Sequence, residues 1–248
     1  MKQEKELPGT QSVQRALMVL EALATSPGGM GVTELAVALG LNKSTAHRIL
    51  GALLARGYAE RAPGGANYRL GLRVVELSSL RLNHLELKTE AAPYLRALLG
   101  ATGQPVHLAT LMDTEAVYID KVETVSSMRM YSQIGRRAAL HCTSVGKSLL
   151  SGLSPAELMR LVRMLPMNAR TPRTITSPEE LIRQIDETRA RGWAVDDMEN
   201  EPGVRCVGAP IRDYRGQVIA AVSTSGPAAQ LTPARDPDTA RHVLEAAR

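Results

Sequence analysis

The stretch that most constrains this chain is residues 32–57, VTELAVALGLNKSTAHRILGALLARG. It reads as a short helix with Leu35, Ala36 and Leu39 apolar, a turn at Gly40, and a helix that starts polar at Lys43. The second helix carries Ala46, Ile49, Leu50, Leu53 and Leu54 as its apolar stripe and ends at Gly57. Gly40 sits where a left-handed helix end wants glycine, and Thr33 is a candidate cap. Ahead of this pair, residues 12–26 place Val13, Leu17, Leu20, Leu23 and Ala24 on one helical stripe, with Ser12 as its N-cap and PGGMG as its stop. Behind it, YAER and YRLG flank the Gly-rich APGGAN and read as two short strands. Helix, helix, tight turn, helix, hairpin is the order of a winged helix-turn-helix.

Charge is concentrated in the same region. Between positions 10 and 75 stand seven Lys or Arg (Arg15, Lys43, Arg48, Arg56, Arg61, Arg69, Arg73) against Glu21, Glu34 and Glu60, a surplus of four. The whole chain of 248 residues carries a net charge of +5, so the remainder is nearly neutral. A basic footprint on a small N-terminal unit fits a polyanion partner. In a helix-turn-helix, the first residues of the second helix face base edges in the major groove. Here these are Lys43, Ser44, Thr45, His47 and Arg48. Arg61 and Arg69 on the predicted wing are placed for phosphate or minor-groove contact. The plain alternative is a small helical bundle with a solvated basic face.

Beyond residue 73 a helical pattern runs on through LRALLGAT and is expected to break near Pro93. From Pro105 the pattern changes. VHLATLM, AVYIDKVE, MRMYSQIG, WAVDDME, RCVGAPIRD and QVIAAVSTSG read as strands. SVGKSLLSG, SPAELMRLVRML, SPEELIRQIDETRARG and a last segment from about Asp236 read as helices. Ser-Pro followed by Glu is a helix-start signature. Turns such as MDTEA and DYRG predict an antiparallel-rich α+β or α/β domain rather than a doubly wound parallel sheet.

ALHCTSVGKSLL, residues 139–150, looks reactive. A phosphate-binding loop needs Gly five residues before Gly146, because its amides must curl around phosphate. His141 stands there instead. A catalytic Ser or Cys needs a base and an orienting acid within reach. If His141 and Cys142 lie on a strand they point to opposite faces, and no Gly-x-Ser-x-Gly elbow is present. Nothing links His107 to this segment as a base. The remaining readings are a helix start capped by Thr143 or Ser144 without a ligand, and the same start with its amides, near Arg136 and Arg137, receiving a small carboxylate.

Other classes recede. Cys142 and Cys206 are the two cysteines and have no zinc spacing, so neither a metal nor another cofactor is expected. The N-terminus lacks an apolar signal core, and no window nears 18 uncharged apolar residues. The expectation is a cytoplasmic protein with reduced thiols and no membrane partner. With 44% hydrophobic residues and no Phe, its core must be mostly aliphatic.

LNKSTAHRIL, LHCTSVGKSLL and GWAVDDMENEPGVRCVGAPIRDYRGQVIAAVSTSGP occur in order. Together they resemble the recognition helix and effector-domain signatures of the IclR-type transcriptional regulators, from about Ser12 to the end. MRMYSQIGRR and RTITSPEEL look like the branch controlling sugar-acid catabolism, typified by the 2-keto-3-deoxygluconate repressor. The resemblance implies an α+β protein of two domains: a winged helix-turn-helix joined by a linker helix to a GAF/PAS-like mixed α/β effector domain. The boundaries expected are a disordered tail over 1–11, the DNA-binding domain over 12–73 (helix-turn-helix about 32–51), the linker over 74–88 and the effector domain over 89–248. It implies no enzyme activity. It also implies dimers or dimers of dimers, a palindromic or nearly palindromic double-stranded operator, and a small organic acid as effector. Carried over by position, the effector cup is lined by Met130, Ala138, Ser144, Val145, Asp196, Cys206, Ser223 and Ser225. Asp196 would accept a ligand hydroxyl, and the amides near Ser144 would hold the carboxylate. As plain structure, Cys206 is a buried apolar filler and Asp196 caps a turn. Ala138-Ala139 departs from close relatives, many of which carry a bulkier residue and proline, so pocket shape is specific to this chain. The alternatives are an aromatic-acid-responsive activator of the same family, and an enzyme or small-molecule-binding module with an incidental helical N-terminus.

Overall fold

The computed structural model describes residues 10–83, 86–124 and 132–248. The chain divides into two compact units, Met1–His84 and Leu85–Arg248.

The first unit contains α1 (Gln11–Ala24), α2 (Val32–Ala38), α3 (Lys43–Ala55), the hairpin β1 (Ala59–Arg61) and β2 (Tyr68–Leu70), and α4 (Leu72–Asn83). Two glycine-terminated helix ends set its path. After α2, Leu41 N–H donates to Ala36 O at 2.8 Å and Gly40 N–H to Val37 O at 3.3 Å, with Gly40 at φ +62°. This closes the orphan carbonyls of the helix while the chain reverses. After α3, Tyr58 and Gly57 repeat the pattern on Leu53 and Leu54. The helix starts differ from expectation. The N-cap of α1 is Thr10, so Ser12 lies inside the helix. The N-cap of α2 is Gly31, whose amide donates to the Glu34 carboxylate at 3.3 Å, so Thr33 lies in the first turn.

The core of this unit is Val19, Leu23, Leu35, Leu50 and Leu53, closed by Met30 and Tyr68. The α1 stripe is therefore rotated from the predicted one. Val13 and Leu17 are 62% and 53% exposed. The helix carries apolar residues on more than one side, and packing on α3 and β2 selects the Val19–Leu23 side.

The second unit opens with α5 (Glu86–Thr102). Pro93 lies inside this helix and does not break it. It forfeits one backbone bond, while Ala91, Leu95 and Leu98 pack into the core. A six-stranded sheet follows, built from β3 (Val106–Met112), β4 (Glu115–Val122), β5 (Arg137–Ala139), β6 (Ala194–Asp197), β7 (Val204–Arg212) and β8 (Val218–Pro227). Its order is β5-β4-β3-β8-β7-β6, antiparallel throughout. Part of the MRMYSQIG strand reading lies outside the described residues. Among those described, Ile134 and Gly135 form a turn.

Alternation along the strands separates two layers. Val207, Ala209, Ala220 and Val222 pack with α5 and α9 (Asp236–Ala247). Ala109, Ala116 and Ala221 pack with α6 (Ser144–Leu150), α7 (Pro155–Val162) and α8 (Pro178–Arg191). The Ser-Pro starts of α7 and α8 are N-caps, with Ser154 Oγ accepting from Glu157 N–H and Ser177 Oγ from Glu180 N–H. The architecture is an N-terminal helix-turn-helix unit followed by an α+β unit with one curled sheet between two helical layers.

Candidate functional site

Two features stand out, one in each unit. On α3, Lys43, Ser44, His47 and Arg48 are exposed and Thr45 is half-buried, while Ala46 and Leu50 point into the core. Spacing of one, three and four residues gathers the exposed set on one face. The helix contains no acidic residue, so that face is positive. The hairpin arginines are engaged locally. Arg61 Nη1 donates to Gly65 O at 2.7 Å, and its guanidinium stacks over the Tyr68 ring at 5.0 Å. Arg69 is ion-paired with Glu60 at 2.7 Å.

The second feature is a cavity of about 80 Å³ on the α6 face of the sheet. Strand register builds it. Cys206 on β7 pairs with Asp196 on β6 and with Ser225 on β8. One step along, Ser223 pairs with Gly208 on β7 and His107 on β3. Directly opposed residues point to the same face, so these rows deliver their side chains to one floor. Ala138, Ser144 and Val145 line the wall. Seven of the eight residues carried over by position thus surround one cavity; Met130 lies outside the described residues. The cavity also takes in His107, Tyr118, Arg136, Arg170 and Asn200. Of these, Arg170 and Asn200 come from loops whose placement no local pattern encodes.

The floor is polar and largely uncharged. Burial, with Lys121 nearby, pushes His107 down to about 3, so the ring is neutral. Its Nε2 lies 2.7 Å from Ser132 Oγ and its Nδ1 3.5 Å from Ser225 Oγ. Asp196 Oδ1 accepts the amides of Glu199 at 2.7 Å and Asn200 at 3.3 Å. Burial, helped by the Glu199 carboxylate, still raises Asp196 to about 7. The turn cap expected as the plain reading of Asp196 is present, together with exposure of that residue to the cavity.

Asp196 therefore titrates near neutrality when folded and near 4 when unfolded. The folded state binds the extra proton between those values, so stability falls as pH rises toward 7 and is regained on acidification through it. Asp196→Asn is expected to flatten this part of the melting profile. Differential scanning calorimetry from pH 8 to 5.5 checks it; an unchanged slope contradicts the assignment.

The reactive-looking segment resolves into structure. His141 and Cys142 lie in the loop before α6, not on a strand. Burial lowers the His141 ring and pushes the Cys142 thiol up to about 12; Cys206 is raised as well. Neither thiol is an activated nucleophile. Thr143 is the cap, its Oγ accepting from Gly146 N–H at 3.1 Å. Gly146 is required by packing, because a Cβ there would stand 2.5 Å from Leu140 Cα. Lys147 is fully buried, its Nζ donating to both Glu199 carboxylate oxygens at 2.7 and 2.9 Å. Glu199 belongs to the turn after β6, where Met198 adopts φ +62°. Lys147 of the Gly-Lys-Ser triplet thus clamps α6 to the turn that follows Asp196 and carries Asn200. Sequence reasoning missed this pair, whose partners are 52 positions apart.

Comparison with known proteins agrees with this architecture. The family model of the IclR helix-turn-helix domain matches residues 12–63, and that of the bacterial transcriptional regulator IclR C-terminal matches residues 80–248. The HTH-type transcriptional regulator XynR of Escherichia coli K12 is 38% identical over 219 residues, covering 88% of this chain and 87% of XynR. The HTH-type transcriptional regulator KdgR of E. coli K12 is 33% identical, covering 94% and 88%. This supports the resemblance to the sugar-acid branch. The crystal structure of an IclR homolog from Microbacterium hydrocarbonoxydans, complexed with 4-hydroxybenzoate, superposes with a TM-score of 0.81 at 26% identity, covering 95% of each chain. Helix-turn-helix, curled-sheet unit and both family signatures follow in order along one chain: the protein belongs to the IclR family of DNA-binding transcriptional regulators.

Proposed function

We propose that α3 reads a double-stranded operator and that the cavity holds a small organic acid whose binding shifts operator affinity, making the protein a repressor of a catabolic operon. The observation that carries the reading is the cavity: buried hydroxyl, carboxyl and imidazole groups converge on it from four strands and arginines line it. Few precisely placed polar groups in a concave, preformed site are what a small polar ligand needs. A related IclR homolog is complexed with 4-hydroxybenzoate, which supports an acid as ligand and favours, as a second reading, an aromatic acid. A shift in operator affinity requires only that the ligand bind two conformations unequally.

Self-association completes the proposal. Val13 and Leu17 on α1, and Leu72, Val75 and Leu80 on α4, are exposed apolar side chains. A second copy covering them would pair two recognition helices for a palindromic site. No described helix is long and apolar enough to cross a membrane; we place the protein in the cytoplasm with its operator.

On operator DNA, Arg48→Ala is expected to cost about 1–3 kcal/mol, the worth of a bidentate base contact, and to leave affinity for random DNA within about twofold. Fluorescence anisotropy on both DNAs checks this. Equal loss on both would reduce Arg48 to a phosphate contact.

A further inference from the structure

Arg170 stands on the loop between α7 and α8 and lines the cavity with an exposed side chain. Its Nη1 donates to the Asn200 side-chain oxygen at 2.9 Å. The other arginines of the cavity are differently engaged. Arg137 is ion-paired with Glu115 at 2.9 Å, and Arg136 is itself partnered. Arg170 has no carboxylate partner among the described residues; its acceptor is a neutral amide oxygen. A guanidinium forks onto a carboxylate through two parallel bonds in which both partners are charged, whereas Asn200 offers a single neutral acceptor. A carboxylate in the cavity therefore outcompetes Asn200 for Arg170. Asn200 keeps a weak donor when that happens, since Cys142 Sγ lies 3.9 Å from the same oxygen.

The exchange also has a mechanical readout. Thr171 and Thr174, on the loop of Arg170, donate their hydroxyls to Met198 O at 2.7 Å and Glu199 O at 2.6 Å. Loop and turn are thus stitched together beside the contact between Arg170 and Asn200.

We propose that Arg170 is the carboxylate anchor of the effector cavity and determines its preference for acids, with Asn200 holding the guanidinium until the ligand displaces it. This rests on the reading of the cavity as the effector site. It moves the carboxylate away from the amides of α6, which is seven residues long and spends its Gly146 and Lys147 amides on Thr143. The polar floor of Ser223, Ser225 and Asp196 then faces the keto and hydroxyl groups of the ligand.

Isothermal titration calorimetry on the full chain tests this with pyruvate, 2-keto-3-deoxygluconate and 4-hydroxybenzoate, each beside its methyl ester. The wild type is expected to bind at least one acid, and its ester about 10-fold or more weakly. Arg170→Gln is expected to weaken the acid about 10- to 100-fold and leave the ester unchanged. Arg170→Lys is expected to fall between, and Asn200→Ala to bind the acid as tightly as wild type or more tightly. Because Arg170 is exposed, unchanged melting confirms that the variants fold. Wild-type affinity for the acid in Arg170→Gln, or equal loss of acid and ester, overturns the anchor. If Ser223→Ala still removes binding in that case, the cavity reading stands without the anchor. If no acid binds the wild type, the cavity reading fails and the anchor falls with it.

Discussion

Lys147→Met is expected to lower the melting temperature of the effector unit by roughly 10 °C. Removing one member of a buried ion pair strands the other charge, at about 3–5 kcal/mol, and a domain of this size loses about 2–4 °C per kcal/mol. Lys147 has zero exposure, and Glu199 meets it with both carboxylate oxygens. Glu199→Gln is expected to be comparably damaging, since it leaves the ammonium unpaired. Lys147→Met combined with Glu199→Leu removes both charges and is expected to recover most of the loss. Differential scanning calorimetry of the three variants checks the set. A single variant that melts within about 2 °C of wild type would show that the pair is not desolvated as described.

Asp196→Ala with Ser223→Ala is expected to abolish the response to effector. Register brings these side chains from separate strands to one floor, and each removes a hydrogen-bonding group that no neighbour replaces. Together they are expected to cost an acid at least about 100-fold in affinity. Both residues lie in the second unit, whereas α3 belongs to the first. Apo operator affinity is therefore expected to stay within about twofold of wild type. Thermal shift with the acids and anisotropy on operator DNA read the two halves separately. Loss of operator binding in the double variant would mean that the substitutions act through folding rather than through the cavity.

The elements were legible where local chemistry specifies them. Alternating or continuous apolar runs mark VHLATLM and QVIAAVSTSG, and Ser-Pro with a following Glu marks the starts of α7 and α8. Ser223 and Ser225 share a face because they are two apart on one strand. The orientation of α1 was not legible, because Val13, Leu17, Val19 and Leu23 offer overlapping stripes and only tertiary packing chooses between them. Pro93 misled for a related reason, since burial of its neighbours outweighs one lost backbone bond. The row from Asp196 through Cys206 to Ser225 depends on pairings between distant segments. The Lys147–Glu199 clamp and the place of Arg170 on the cavity lining are likewise long-range and carry no local signal.

The central claim is that the cavity and the recognition helix are energetically coupled, and reciprocity tests it most directly. Operator affinity is measured by anisotropy with and without saturating acid, and acid affinity by calorimetry with and without saturating operator. Linkage requires the same factor in both directions. The account predicts one common factor of about 5- to 150-fold for wild type and no coupling in Asp196→Ala with Ser223→Ala. An acid that binds the cavity tightly yet leaves operator affinity unchanged would contradict it.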